Sequence, residues 1–298
     1  MKHLYFLIFL TIPILNGETT YPGLNSFTSS VELSLAGSGF LYASSISTKL
    51  NPAVKHKKKI ISTSLISYPA QITSENIGIE FPLKKGSGSL SVFHITYGDF
   101  QGYNEIAEKT FKYSSQDLSI RGSYSRLAKK TPIRYGFSTQ LFKSSLSKEN
   151  NYFIEVSFGS ILILDKNNFK LGFSIHHFGK QIYNDSNIDN SAQLVFSTSK
   201  KLNYLPAEIF IDYSKKGKSV KDEIFIGGRL SPNKKIKINF GTSKRKFTQN
   251  LEQTLTKSIL GDTGFGFSFE FNNVVINYGS FIYNNGVLIH SLGAEIPF

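Results

Sequence analysis

The segment from Val287 to Phe298 alternates with period two. Leu288, His290, Leu292, Ala294, Ile296 and Phe298 take the even positions, while Ser291, Gly293 and Glu295 lie between them. One apolar face and one largely polar face define a β-strand between two unlike media. The pattern recurs: Phe265, Phe267, Phe269 and Phe271 alternate with Gly266, Ser268 and Glu270, and Phe169, Leu171, Phe173 and Ile175 alternate with Lys170, Gly172, Ser174 and His176. Ile236, Ile238 and Phe240 likewise oppose Lys235, Lys237 and Asn239, and Ile224, Ile226 and Leu230 oppose Glu223 and Arg229. After the first turns of the chain, no apolar run approaches the ~20 residues of a spanning helix. Such strands can cross a bilayer only as a closed barrel, because closure alone satisfies every backbone N–H and C=O without water. Lys, Glu and Arg on the polar faces suit an aqueous or ion-paired lumen, with the Phe faces toward lipid.

From Ile60 onward the alternation predicts about fourteen strands, an even number as single-chain bacterial barrels require. Loop lengths segregate by parity. The connections Lys84 to Gly88, Ala128 to Thr131, Asp165 to Asn167, Lys201 to Pro206, Ser231 to Asn233 and Asn273 are short, as periplasmic turns are. The opposite set contains Gly98 to Ser115, Phe178 to Ser191 and Arg245 to Asp262, as extracellular loops would, with Asn284-Asn285-Gly286 as one tight hairpin turn. The last strand, with Leu292, Ala294, Ile296 and a terminal Phe298, resembles the C-terminal insertion signal of bacterial outer-membrane barrels. That resemblance implies recognition by the barrel-assembly machinery and a bacterial outer-membrane location.

The start of the chain agrees with export. A weakly basic Met1-Lys2-His3, an apolar stretch from Leu4 to Leu15 and the small residue Gly17 predict a cleaved signal peptide over residues 1–17. Residues 18–59 precede the first strand. Nothing outside a barrel would bury them, so they are expected to fold into the lumen as a plug, with a first β-ribbon and a short helix ending before Pro52. Residues 60–298 form the barrel. The fold class expected is therefore all-β, a transmembrane antiparallel barrel with an N-terminal plug. A secreted β-sandwich is the competing all-β class, but it needs neither loop parity nor a terminal Phe.

Composition sets limits on chemistry. The chain has no Cys, so it has no disulfide framework, thiol chemistry or lipoprotein anchor; Phe 26 and Tyr 15 against Trp 0 and Met 1 suit aromatic strand faces. The net charge of +13 comes from Lys residues scattered over turns, with no basic helix, which argues against nucleic acid; these lysines read as solvated turn residues flanking membrane strands, with contact to outer-membrane lipid and lipopolysaccharide phosphates as the sharper alternative. His94, His176, His177 and His290 fall on separate strands or on alternate faces, and no third ligand accompanies His176-His177 at metal spacing. No catalytic residue, metal or cofactor is assigned, and the chain is expected not to be an enzyme.

Asn51-Pro52-Ala53, after a small-residue segment, resembles the hatch motif of the FadL family, whose fourteen-stranded barrels are closed by an N-terminal plug. Further runs resemble the PorV/PorQ branch, its PorQ-like members most: Tyr97-Gly98-Asp99-Phe100 followed by Glu105, Lys143 to Leu146, His177 to Gln181, Ser199 to Pro206 and Gly227 to Pro232. The resemblance covers nearly the whole mature chain and rests on collinear order. It implies an accessory or scaffold of type IX protein secretion, with secretion-system proteins or secreted cargo as partners. Asp99, Phe100, Tyr103, Phe178 and Tyr183 in the long connections are candidate contact residues, being aromatic or charged groups on loops free of lipid. The alternative is a FadL-like channel for hydrophobic small molecules. It would need a continuous apolar path with a lateral opening, past inward aromatics such as Phe142, Phe153 and Phe210, whereas Arg229, Lys235, Lys237 and Glu270 argue for an ion-paired interior.

Overall fold

The structure, a computed structural model, describes residues 22–42, 46–47, 50–54, 58–146, 149–183, 192–216, 222–244, 246, 260–283 and 286–298. The expected signal peptide lies outside the described residues, as do most of the connections 184–191 and 245–259 and the residues Asn284 and Asn285.

Two short helices, α1 (Pro22–Asn25) and α2 (Ser30–Ser34), precede fourteen strands: β1 (Ile60–Ser67), β2 (Thr73–Leu83), β3 (Gly86–Tyr103), β4 (Lys109–Leu127), β5 (Ile133–Leu146), β6 (Glu149–Leu164), β7 (Phe169–Tyr183), β8 (Gln193–Lys201), β9 (Ala207–Lys216), β10 (Glu223–Leu230), β11 (Ile236–Ser243), β12 (Thr263–Phe271), β13 (Val274–Ile282) and β14 (Leu288–Pro297). Each strand pairs with its sequence neighbour, and β1 pairs antiparallel with β14 to close the barrel. Closure leaves no free edge along the spanning wall. Among the described residues no helix is long and apolar enough to cross a membrane.

The expected alternation fixes which side chains face out. Leu65, Ile77, Leu141, Phe196, Phe240 and Leu292 are exposed on the outer wall, together with the Phe series of β12. A continuous apolar belt of this extent is sustained by lipid and not by water. Inside, serines recur at alternate positions and are buried, among them Ser62, Ser64, Ser91, Ser119, Ser138 and Ser291.

At the end where β1 begins and β14 finishes, the connections are short. Asn272 and Asn273, both at positive φ (47° and 67°), make a two-residue hairpin turn, and a 3-10 turn at Asp165–Asn167 ends on left-handed Asn168. The opposite end departs from expectation. Gly98 to Ser115 is not a long loop: β3 and β4 continue their ladder to Tyr103↔Lys109 as a two-stranded ribbon. Two register shifts, after Thr96 and after Gln101, let the ribbon run on, and Gly98 takes φ 91° at the first. Asn104 closes the tip by accepting from the N–H groups of Ile106 and Glu108 (3.2 and 2.8 Å), with Ala107 at φ 60°. Phe178 and Tyr183 are likewise strand residues, within β7.

Candidate functional site

The site is the lumen and the segment inside it. A fourteen-stranded barrel is too wide for its own inward side chains to fill. Here the chain before β1 fills it. Ser29 caps α2 by accepting from the Glu32 N–H (3.1 Å), and the Glu32 carboxylate turns back to accept from the Thr28 N–H and hydroxyl (3.2 and 2.9 Å). Ala36, Gly37 and Gly39, all at positive φ, then reverse the chain. Among the described residues no strand precedes Ile60, and the two helices lie upstream of the stretch expected to hold a ribbon and a helix before Pro52, of which residues 43–45 and 48–49 lie outside the described residues. Left-handed backbone at Ala36, Gly37 and Gly39 ends the helical turn there and breaks any extended run across 36–39.

Apolar side chains of the plug meet the inward aromatics. Leu24 packs with Phe142 and Phe153, Val31 and Leu35 pack with Phe210, and Leu33 joins Ile66, Phe281 and Ile289. The three aromatics named as inward-facing are inward, but the plug covers them, so they line no open path. At four places where plug backbone lies directly on the sheet, the wall residue is glycine. A Cβ added at Gly279 would overlap Ser30 O, at Gly241 Leu35 O, at Gly264 Leu33 O, and at Gly136 Pro52 O. The absent side chains are what allow the plug to lie on the sheet.

Polar side chains complete the seat. The Ser30 hydroxyl lies 2.7 Å from Ser291 Oγ of β14 and 3.2 Å from Ser64 Oγ of β1, bridging the closing seam. Asn76 donates to Thr28 O and Ile46 O (3.0 and 2.6 Å), and Arg121 donates to Ser47 O (2.8 Å) and to the Ser138 hydroxyl (3.1 Å). Asp117 accepts from the Gly23 N–H (3.1 Å) and the Tyr97 hydroxyl (2.7 Å), and Asp212 accepts from the Gly39 N–H (2.7 Å). The Arg229 guanidinium stacks 3.5 Å from the centre of the Tyr42 ring and donates to Asn239 (2.8 Å).

The Asn51-Pro52-Ala53 motif sits against β5, β6 and β7. Asn51 is fully buried; its amide donates to the backbone oxygens of Ser160 and Phe173 (3.2 and 3.1 Å), its side-chain oxygen accepts from the Ala53 N–H (2.9 Å), and its own N–H donates to Phe40 O (3.0 Å). A carboxamide is the one short side chain that donates twice and accepts at once, which is what this position uses. Leu292 and Ile296 are exposed on the outer wall with Ala294 between them; the Phe298 N–H donates to Lys59 O (3.1 Å), and the Lys59 ammonium stands 5.7 Å from the Phe298 ring. Of the five expected contact residues, Asp99, Phe100 and Tyr103 lie on the β3 ribbon, where Phe100 stacks on Tyr113 at 5.5 Å; Phe178 and Tyr183 lie on a different strand.

One expectation fails instructively. His176 and His177 do not face opposite sides: both are buried in the lumen. The β6–β7 register shifts between Val156↔Phe178 and Phe158↔Ile175, and His177 takes φ 56° in the resulting bulge, which turns a second consecutive side chain inward. His177 Nδ1 is 2.8 Å from Glu155, and His176 Nε2 is 2.8 Å from the Ser174 hydroxyl. No group of three or more His, Asp or Glu among the described residues has the geometry to hold a metal ion.

Two spaces beside and within the plug are of water size. One is lined by Ser87, Ser89, Arg121, Ser123 and Ser125 of the wall and Leu50, Pro52 and Val54 of the plug; another lies within the plug itself, between Glu32, Leu35, Tyr42 and Ser47. Each of the fourteen strands is hydrogen-bonded to both neighbours, which closes the ring. The site is thus a lumen occupied by a separate segment of chain.

Fold and plug together define a plugged fourteen-stranded membrane barrel of the outer-membrane type. The sequence matches no protein-family model and no curated protein. Solved structures do match in fold. The Pseudomonas putida toluene transporter TodX aligns with a TM-score of 0.60 at 11% identity, over 91% of this chain and 98% of that one. A TodX monoaromatic hydrocarbon channel mutant gives 0.62 at 12% over 91% and 99%, and a Pseudomonas aeruginosa FadL homologue gives 0.56 at 10% over 92% and 99%. The fold is that of the FadL-like barrels.

Proposed function

We propose that the chain is an outer-membrane channel for small apolar solutes, held shut by its N-terminal plug. What carries the reading is the combination of a fold shared over almost the whole length of a monoaromatic hydrocarbon channel with a lumen occupied by a separate segment. In this orientation the short-turn end and the C-terminus face the periplasm and the ribbon faces outward. The closed wall and the buried aromatics behind the plug mean that passage requires the plug to shift, uncovering Phe142, Phe153 and Phe210.

The chain contains no cysteine, so a reversible lock is simple to install. Ser30→Cys with Ser291→Cys places two thiols where hydroxyl oxygens are 2.7 Å apart. Cells expressing the parent are expected to take up radiolabelled toluene faster than cells without it. Oxidation of the double variant should abolish the difference, and reduction should restore it. Uptake equal to that of cells lacking the chain overturns the channel reading.

A second reading, a scaffold accessory to protein secretion of the PorV/PorQ kind, is favoured by the filled, largely polar lumen and by the ribbon standing above the wall. Crosslinking in intact cells tests it: loss of captured proteins on trimming residues 99–113 supports a scaffold, and an unchanged set removes the ribbon from consideration.

A further inference from the structure

Two consecutive histidines inside the lumen are not used by the seat as such. The His176 ring stands edge-on to Phe40 of the plug, with ring centres 5.9 Å apart, and Phe40 in turn leans on Phe225 of β10 at 6.4 Å. Phe40 also holds the motif, since its carbonyl accepts the Asn51 N–H. His176 is 1% exposed; its Nε2 meets the Ser174 hydroxyl, and its Nδ1 has no hydrogen-bond partner.

We propose that His176 is an acid-operated release for the plug: a proton taken up on its ring loosens Phe40 and the segment that Phe40 holds. The proposal rests on the reading that the plug shifts, and it adds what triggers the shift.

The charged surroundings decide the effect of such a proton. His177 on the same strand is joined to Glu155 of β6, so that carboxylate is already engaged. Arg121 of β4 brings a positive charge toward both His176 and Glu155. Asp212 of β9 accepts from the Gly39 N–H beside Phe40, and Glu32 of α2 accepts from Thr28 and Ser47. An imidazolium at His176 would therefore carry an Nδ1–H with no acceptor, against an aromatic edge and near a guanidinium. Water reaching the ring would relieve both faults, and Phe40 is the plug ring that lies against it. By linkage the hydrated, loosened state binds the proton more tightly, so acid favours it below about pH 6.5, where imidazole ordinarily titrates. The bulge at His177 is what permits this arrangement, since an unbroken strand would send one of the two rings to the outer wall.

The test reads the plug directly and not solute entry, so its failure is distinct from failure of the channel reading. Ser38, 4% exposed and two residues before Phe40, is replaced by Cys, and its rate of maleimide labelling is divided by that of Tyr204→Cys, whose side chain is 99% exposed. The ratio cancels the pH dependence of the reagent. In the parent background it should rise about tenfold between pH 7.5 and 5.0, as one proton per plug allows. His176→Phe, which keeps a ring against Phe40, and His176→Gln should each hold the ratio within about twofold, while His177→Gln should keep the rise. All are read in barrels that retain folded electrophoretic mobility. No rise in the parent, a rise surviving in both His176 variants, or a rise lost only in His177→Gln overturns the proposal.

Discussion

The two sides of the barrel hold the plug differently. On the tall side, β3 to β7 run well past the others and continue into the ribbon; on the short side, β8 to β14 stop near the rim. Helix α2 leans on the short side, touching β11 to β14 and β1, and there contact is made through backbone on glycine. On the tall side, glycine at 136, 159 and 172 is joined by long polar side chains, and Arg121, with Asn51 from the plug, makes the hydrogen bonds. A helix with satisfied backbone can lie flat on a wall, whereas irregular chain exposes N–H and C=O groups that the wall must answer one at a time. Where the plug is irregular, wall side chains therefore answer it one group at a time, Arg121 and Asn76 donating and Asp212 of β9 accepting.

Four substitutions break or sharpen this contrast. The largest effect is expected on the short side. Gly279→Val drives a branched side chain into Ser30 O, where neither backbone can yield, and should cost about 3 kcal/mol or more. Gly122→Ala, with nothing within 4 Å, should stay within about 0.5 kcal/mol. Denaturation followed by the shift between folded and unfolded electrophoretic mobility measures both, and equal midpoints would show that close approach of backbone is not what seats α2. Next is Asn51→Ala on the tall side. It removes two bonds to wall carbonyls and one within the motif, a loss of about 2–4 kcal/mol in plug docking. A cysteine placed at Ser38 should then label faster with barrel stability little changed; slow labelling would mean that Arg121 and Asn76 hold this region unaided. The smallest effect is expected in the ribbon, where Phe111→Ser removes a ring 57% exposed and tilted against Tyr113 at 6.2 Å, changing stability by about 0.5 kcal/mol or less. A larger loss would make the ribbon part of the barrel's own support.

Strand number, strand faces and closure were legible because period two survives any packing detail: Phe265 to Phe271 point outward wherever β12 sits. The ribbon was hidden because Gly98, Asp99 and Gly102 carry turn propensity, which pairing with β4 overrides. The two histidines were misassigned for a related reason. A bulge breaks period two without leaving a residue type that marks it, and His177 adopts left-handed backbone that few side chains would suggest. Within the plug, Asn51 was marked by its motif, but Asn76, Arg121 and Asp212 sit on strands as ordinary inward polar residues, and nothing along the chain says that a distant carbonyl or N–H awaits them. The matching of Gly241, Gly264 and Gly279 to α2 is equally invisible in one dimension.

The triangle of Ser30, Ser64 and Ser291 also bears on how the molecule is built. Ser64 and Ser291 belong to the first and last strands, the pair whose union ends the folding of the wall, and Ser30 bonds to both. A chain that zipped β1 to β14 around an empty bore would then have to thread α2 through a rim and strip water from a wall of serines. A chain that lays α2 down first gives the last strand a surface on which its register is already written. In that order the plug is a mould before it is a stopper.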